Sequence, residues 1–132
     1  MKTLVTVGTL LIGAALLVGC ASDSVTGDWT TIAGSTEDTG PCMPDVLTAT
    51  IDDTTATFQI DFGLTMDATI AMHDGGFTFI DAATRPDEVG TVYHLIGEDS
   101  SGSVDGDTLH VTMSIWSEPI NGYCTKTFAM QR

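Results

Sequence analysis

Three cysteines, three histidines and eighteen carboxylates are the side chains of this 132-residue sequence with the most chemistry to offer. The histidines, His73, His94 and His110, stand at no short ligand spacing from one another or from a cysteine, so no metal site is expected. Asp52-Asp53 and Asp87-Glu88 place carboxylates side by side, as acid–base work requires. Both pairs fall in segments read below as turns or loops, where solvation keeps them ionised and idle. The run from Asp99 to Asp107 carries acidic and hydroxyl oxygens suited to calcium, but its glycine is misplaced and no bidentate glutamate follows at the EF-hand distance. A solvated hairpin loop accounts for it. Neither Gly-x-Ser-x-Gly nor His-Glu-x-x-His occurs. No catalytic residue, metal ligand or cofactor is assigned, and binding is expected in place of catalysis.

The cysteines say more. Met1-Lys2 supplies a positive end and an apolar run follows from Leu4 to Val18, the pattern of an export signal helix. A transmembrane helix needs about 20 apolar residues, and this run is shorter and broken by Thr6, Gly8, Thr9 and Gly13. Leu17-Val18-Gly19-Cys20 follows, and it resembles the lipobox of bacterial lipoproteins in all four places. The resemblance implies diacylglyceryl on the Cys20 thiol, cleavage before Cys20, and acylation of the new amino group by a chain such as palmitate. Several acyl chains anchor stably where one binds only marginally. It implies a place as well: the cell envelope, on the outer face of the cell membrane. In a host with two membranes it is the outer membrane, because Ala21 and not Asp follows the cysteine. Residues 1–19 then read as signal peptide, 20–24 as lipidated tether and 25–132 as the folded domain.

With Cys20 taken by lipid, Cys42 and Cys124 remain as a pair in an exported chain, where a disulfide is the natural state and two buried thiols the alternative. Lys2 leaves with the signal, so three basic side chains (Arg85, Lys126, Arg132) face eighteen acids, and three against eighteen is −15. Nucleic acid is excluded as a partner, since phosphate binding needs clustered Lys and Arg. Anionic headgroups repel such a domain too, so the lipid alone must hold it to the membrane. Most of the acids are Asp, as turns between strands favour, or as a saline habitat would.

Removing nineteen residues leaves 113, enough for one core and not two. Thr, Val, Ile and aromatic residues alternate with period two, and no segment has the period of an amphipathic helix. Strands are predicted at Val25–Ile32, Val46–Ile51, Ala56–Phe62, around Met66–Met72, at Phe77–Asp81, Thr91–Ile96, Thr108–Trp116 and Tyr123–Gln131. Asp52–Thr55, Gly63, Asp74-Gly75-Gly76, Asp105-Gly106 and Asn121-Gly122 mark the reversals. His73 and His110 should point outward. The expected fold is all-β: a single small antiparallel up-and-down barrel of about eight strands, with a β-sandwich as the alternative.

Gly27-Asp28-Trp29 is similar to the Gly-x-Trp that opens the first strand of lipocalin-like and related calycin barrels, and Arg132 falls in phase with Phe128 and Met130. The resemblance implies that Arg132 packs over Trp29 and closes the barrel base, a cation–π contact of about 1 kcal/mol. It also implies an interior in which Trp29, Phe58, Phe62, Met66, Ile70, Met72, Phe77, Phe79 and Met113 either line a small apolar ligand or fill the core. Loops Gly34–Pro44, Ala82–Gly90 and Ser117–Gly122 would form the rim. Two functions follow: a lipid-anchored carrier of a small apolar ligand, or a protein-interaction module whose acidic loops meet a basic partner, an envelope protein or a hostile cationic enzyme such as lysozyme that it would inhibit.

Overall fold

The structure, a computed structural model, describes residues 24–118 and 121–132. The expected signal peptide, Cys20 and residues 21–23 lie outside the described residues. Ten strands follow in chain order: β1 (Gly27–Thr31), β2 (Glu37–Asp38), β3 (Val46–Ile51), β4 (Thr55–Ile60), β5 (Leu64–His73), β6 (Gly76–Thr84), β7 (Val92–Leu95), β8 (Ser101–Asp105), β9 (Thr108–Glu118) and β10 (Gly122–Gln131). All pairings are antiparallel, and no α-helix occurs among the described residues.

β3 to β6 form a hairpin meander in which Ile51 faces Ala56, Ile60 faces Leu64 and His73 faces Gly76. β7 and β8 both run antiparallel to β9, so they act as one strand interrupted by the 3-10 turn Gly97–Asp99. β7 and β8 both also pair with β6. β10 pairs with β9 over its whole length, and on its other edge with β1 at Thr30–Thr31 and β2 at Glu37–Asp38. The ladder closes, and the domain is an eight-strand barrel in which β1–β2 and β7–β8 each count as one broken strand. A sandwich would leave two separate sheets, whereas these pairings run round in one circuit, with the short β2 bonded on one edge.

Three differences from the sequence pattern have local causes. Phe62 is not an inward strand residue: β4 ends at Ile60, the chain reverses through the 3-10 turn Asp61–Gly63, and Phe62 is 84 % exposed. Its backbone sits in the left-handed region at φ 63°, and pairing of Ile60 with Leu64 leaves no ladder position for it. Ser101–Asp105 is strand and not hairpin loop; its polar, small composition hides a segment that pairs on both sides, with β6 and β9. Glycine makes this approach possible. A Cβ on Gly76 would collide with the Gly102 carbonyl, and one on Gly102 would enter the Phe77 ring. Finally, β6 continues to Thr84, so the irregular stretch begins only at Arg85.

The interior is filled. Trp29, Phe58, Met66, Phe77, Leu109, Met113, Ile115 and Met130 are each at most 1 % exposed, and Ile70 and Phe79 at most 4 %. Phe77 meets Phe79 edge to face with centroids 5.2 Å apart, and Phe58 lies 5.9 Å from Phe79. Met72 is only half-buried, at the base. Cys42 and Cys124 form the disulfide that the cysteine arithmetic predicts, with Cα atoms 5.5 Å apart and a sequence separation of 82. On the chain-entropy account a loop of that length contributes about 4.5 kcal/mol.

One inward position of β10 is charged. Lys126 alternates in phase with Cys124, Phe128 and Met130, and its side chain is fully buried. Its Nζ reaches Asp38 at 2.8 Å and Asp45 at 3.0 Å, two carboxylates that remain partly open to water. A buried ammonium deprived of both counter-charges is expensive, whereas an apolar side chain of like volume is not. Asp38→Asn/Asp45→Asn should therefore lower stability by about 2–3 kcal/mol in urea unfolding, and Lys126→Met should stay within about 1 kcal/mol of the wild type. A Lys126→Met variant weaker than the double asparagine variant would contradict this role for the ion pairs.

Candidate functional site

The antiparallel circuit sorts the turns onto two ends. The base carries Gly27, the hairpins at Asp52–Thr54, Asp74–Gly75 and Gly106–Asp107, and Arg132. The mouth carries loop 32–45, turn 61–63, loop 85–91 and the β9–β10 connection. Thus the three loops proposed as a rim share one end, although 119–120 lie outside the described residues.

The base is fastened shut. The Arg132 guanidinium carbon lies 4.2 Å from the Trp29 ring centroid. Its Nη1 donates to the Thr26 carbonyl at 2.9 Å and its Nη2 to that of Ser24, while Trp29 Nε1 donates to the Val25 carbonyl at 2.8 Å. Gly27 has φ 126°, and a Cβ there would stand 3.3 Å from Arg132 Nη1, which gives the glycine of Gly27-Asp28-Trp29 a physical reason.

The mouth is plugged from within and open above. Met43, between Pro41 and Pro44, is 1 % exposed and inserts into the core. Cys42 beside it is covalently held to β10, and Asp45 two residues on is ion-paired to Lys126. Ser35 and Thr39 tie the same loop to the Ala129 and Thr125 backbones. Above this plug lies a depression of about 720 Å³, walled by Pro44, Phe62, Leu64, Pro86, Val89 and Tyr93, with Asp87 and Glu88 at its side. Phe62 and Val89, 84 % and 82 % exposed, are its two projecting tips.

Both tips are presented the same way. Asp61 Oδ1 accepts the Phe62 N–H at 2.9 Å. Asp87 Oδ1 accepts the N–H groups of Val89 at 2.9 Å and Thr91 at 2.8 Å. Each aspartate side chain thus fixes the backbone of an apolar tip, the local chemistry that suits Asp to turns. Asp87 is an organiser of its loop.

Of the residues expected to line or fill the interior, Trp29, Phe58, Ile70, Phe79 and Met113 are brought together in the core and Phe62 instead reaches this depression, where the Asp87-Glu88 pair also lies. His73 and His110 are exposed on different strands, and His94 Nε2 stands 2.7 Å from Glu118 Oε1. Among the described residues no three His, Cys, Asp or Glu side chains converge as metal ligands. Lys126 and Met43 were passed over by pattern reading. Lys126 could have been found from its phase on β10, whereas Met43 lies in a loop with no period to read.

Tyr93, on the inner side of the mouth, has its phenol pushed above the usual tyrosine value, first by burial and second by the Asp87 charge. A raised folded-state value means the folded chain keeps this proton longer, so the stabilisation is complete below about pH 10 and lost as pH rises through the folded value. Ultraviolet difference titration should show a phenol ionising above pH 10 that disappears in Tyr93→Phe. Asp87→Asn should lower that midpoint only in part, because desolvation remains.

No family model, no curated protein and no solved structure matches the chain, so the barrel, its plugged mouth and its two apolar tips stand on this sequence alone.

Proposed function

We propose that the chain is a lipid-anchored binding protein of the bacterial envelope that holds a basic protein partner at the barrel mouth. The observation that carries this reading is Phe62. A bulky aromatic at φ 63° occupies backbone space that costs about 1–2 kcal/mol for an L-residue, and its ring is left in water. Nothing in the packing of the barrel needs such a residue there, and strain of this kind gathers at binding sites. With Val89 opposite it, Phe62 offers an apolar anchor, and the formal charge of −15 left once Lys2 is removed favours a cationic partner and speeds its approach.

The lipid gives the mouth a direction. The tether from Cys20 to Val25 spans at most about 18 Å, and it enters at the base. Strands of this length at an ordinary barrel tilt place the mouth roughly 25–30 Å farther out. The binding end then faces away from the membrane. A small apolar ligand inside the barrel, the other function considered, finds an interior already occupied by aromatic and methionine side chains.

Two substitutions test the two halves of the reading. Cys20→Ala should abolish incorporation of labelled palmitate and move the protein from the membrane to the soluble fraction; continued membrane attachment would refute the anchor. Phe62→Gly removes the ring and the strain together, so stability should hold or rise by up to about 1 kcal/mol. In the same variant, salt-sensitive capture of a basic envelope protein, with lysozyme as the first probe, should drop at least tenfold. Unchanged capture, or a marked loss of stability, would remove Phe62 from the binding site.

A further inference from the structure

Over the middle of β9 and β10 the outward side chains are short hydroxyls, Thr112 and Ser114 on one and Thr125 and Thr127 on the other. Near the mouth the pattern breaks. Trp116 is the register partner of His94 on one side and of Tyr123 on the other, so three rings lie in one row across β7, β9 and β10 on the outer wall. His94 stacks on Trp116 with centroids 5.0 Å apart and planes 30° from parallel. β7 and β10 flank β9 on opposite sides, so Tyr123, which is 69 % exposed, stands across Trp116 from His94 in the register.

The rings are held. Trp116 Nε1 donates to Asn121 Oδ1 at 2.6 Å, and Asn121 takes a left-handed φ of 59°. Glu118 holds the far nitrogen of His94. Such fixing lowers the ordering cost of taking up a ligand. Tyr123 is also one wall of a shallow depression of about 240 Å³, and Asp99, Ser114, Thr125 and Thr39 give it a polar lining. That is room for about eight waters, or one hexose ring.

We propose that this patch binds a pyranose unit, neutral or amino-bearing, of an envelope glycan. A pyranose has one face of C–H groups, whose positive hydrogens pack against the negative face of an aromatic ring. Its edge of hydroxyls requires donors and acceptors in the same place. Trp116 and Tyr123 supply the first, and the Asp99 carboxylate with the Ser114 and Thr125 hydroxyls the second. Asp99 and Glu118, on a domain of this charge, exclude acidic sugars. The patch lies on the wall and the proposed protein site at the mouth, so the two readings stand or fall separately.

Tryptophan fluorescence offers a direct test. The chain has two tryptophans, and Trp29 is buried under Arg132, so Trp116 reports on the patch. The full domain is titrated with tetramers of N-acetylglucosamine, glucosamine and glucose, and with tetragalacturonate as the acidic counterpart, up to about 10 mM, where even a Kd of about 1 mM saturates. A saturable change with at least one neutral or amino tetramer and none with tetragalacturonate is expected. Tyr123→Ala and Asp99→Asn, with circular dichroism unchanged, should each weaken it at least tenfold. Trp116→Phe should lose the signal but bind within a few-fold by calorimetry. No response to any tetramer, equal response to tetragalacturonate, or full affinity in both Tyr123→Ala and Asp99→Asn overturns the proposal. So does capture of an envelope protein that needs Tyr123 while no saccharide binds, since the patch would then be a protein contact.

Discussion

β10 is hydrogen-bonded on both of its edges, and the rest of the domain hangs on that fact. It is the strand on which the first and last parts of the chain meet, with β1 and β2 on one side and β9 on the other. A meander without this pairing would leave two exposed edges ready to recruit other chains. Each of the other fastenings starts from β10 or next to it. Cys124 holds the mouth loop, Lys126 holds Asp38 and Asp45, and Arg132 just beyond the strand covers Trp29.

A barrel closed so firmly and filled so completely has little to offer from inside. Its chemistry moves to the periphery, and the two ends differ in kind. At the base, arginine, indole and backbone carbonyls are consumed in holding the structure together. At the mouth, the polar groups nearest the chain also serve structure, because Asp61 and Asp87 spend a carboxylate oxygen on backbone N–H groups. What they present is apolar. Acidic turns on this protein are therefore scaffolds for Phe62 and Val89 as much as sources of charge.

Most of the fold was legible because a half-buried strand writes its two faces into alternate residues. β3 was readable to the residue, and β5, β9 and β10 to within a few. The disulfide followed from chemistry and compartment alone, without any view of geometry. The failures share a cause: they occur where a side chain's type conflicts with its position. Phe62 continues the alternation of Phe58 and Ile60 and so reads as buried, yet the reversal begins one residue earlier, at Asp61. Lys126 occupies an inward phase but reads as surface until its two carboxylates are seen. Ser101–Asp105 lacks the bulky residues by which strands are recognised, since Gly102 leaves its space to Phe77. At the mouth, only Phe62 and the identity of the loops were visible in advance. The depression itself depends on turns brought together from distant stretches, which no local pattern encodes.

If the domain is held by its N-terminus, as proposed, the disulfide gains a mechanical meaning. Tension entering at Val25 peels β1 and β2 first, and the peeling stops at Cys42, which is bonded to Cys124. Only the chain between Val25 and Cys42 can then pay out, roughly 60 Å at full extension. Turn 61–63 and loop 85–91 lie inside the covalent ring from 42 to 124. In the anchored domain proposed above, a load on Phe62 or Val89 would reach Cys42 by two covalent routes, the backbone that runs through β3 and the disulfide from β10, so neither would bear it alone.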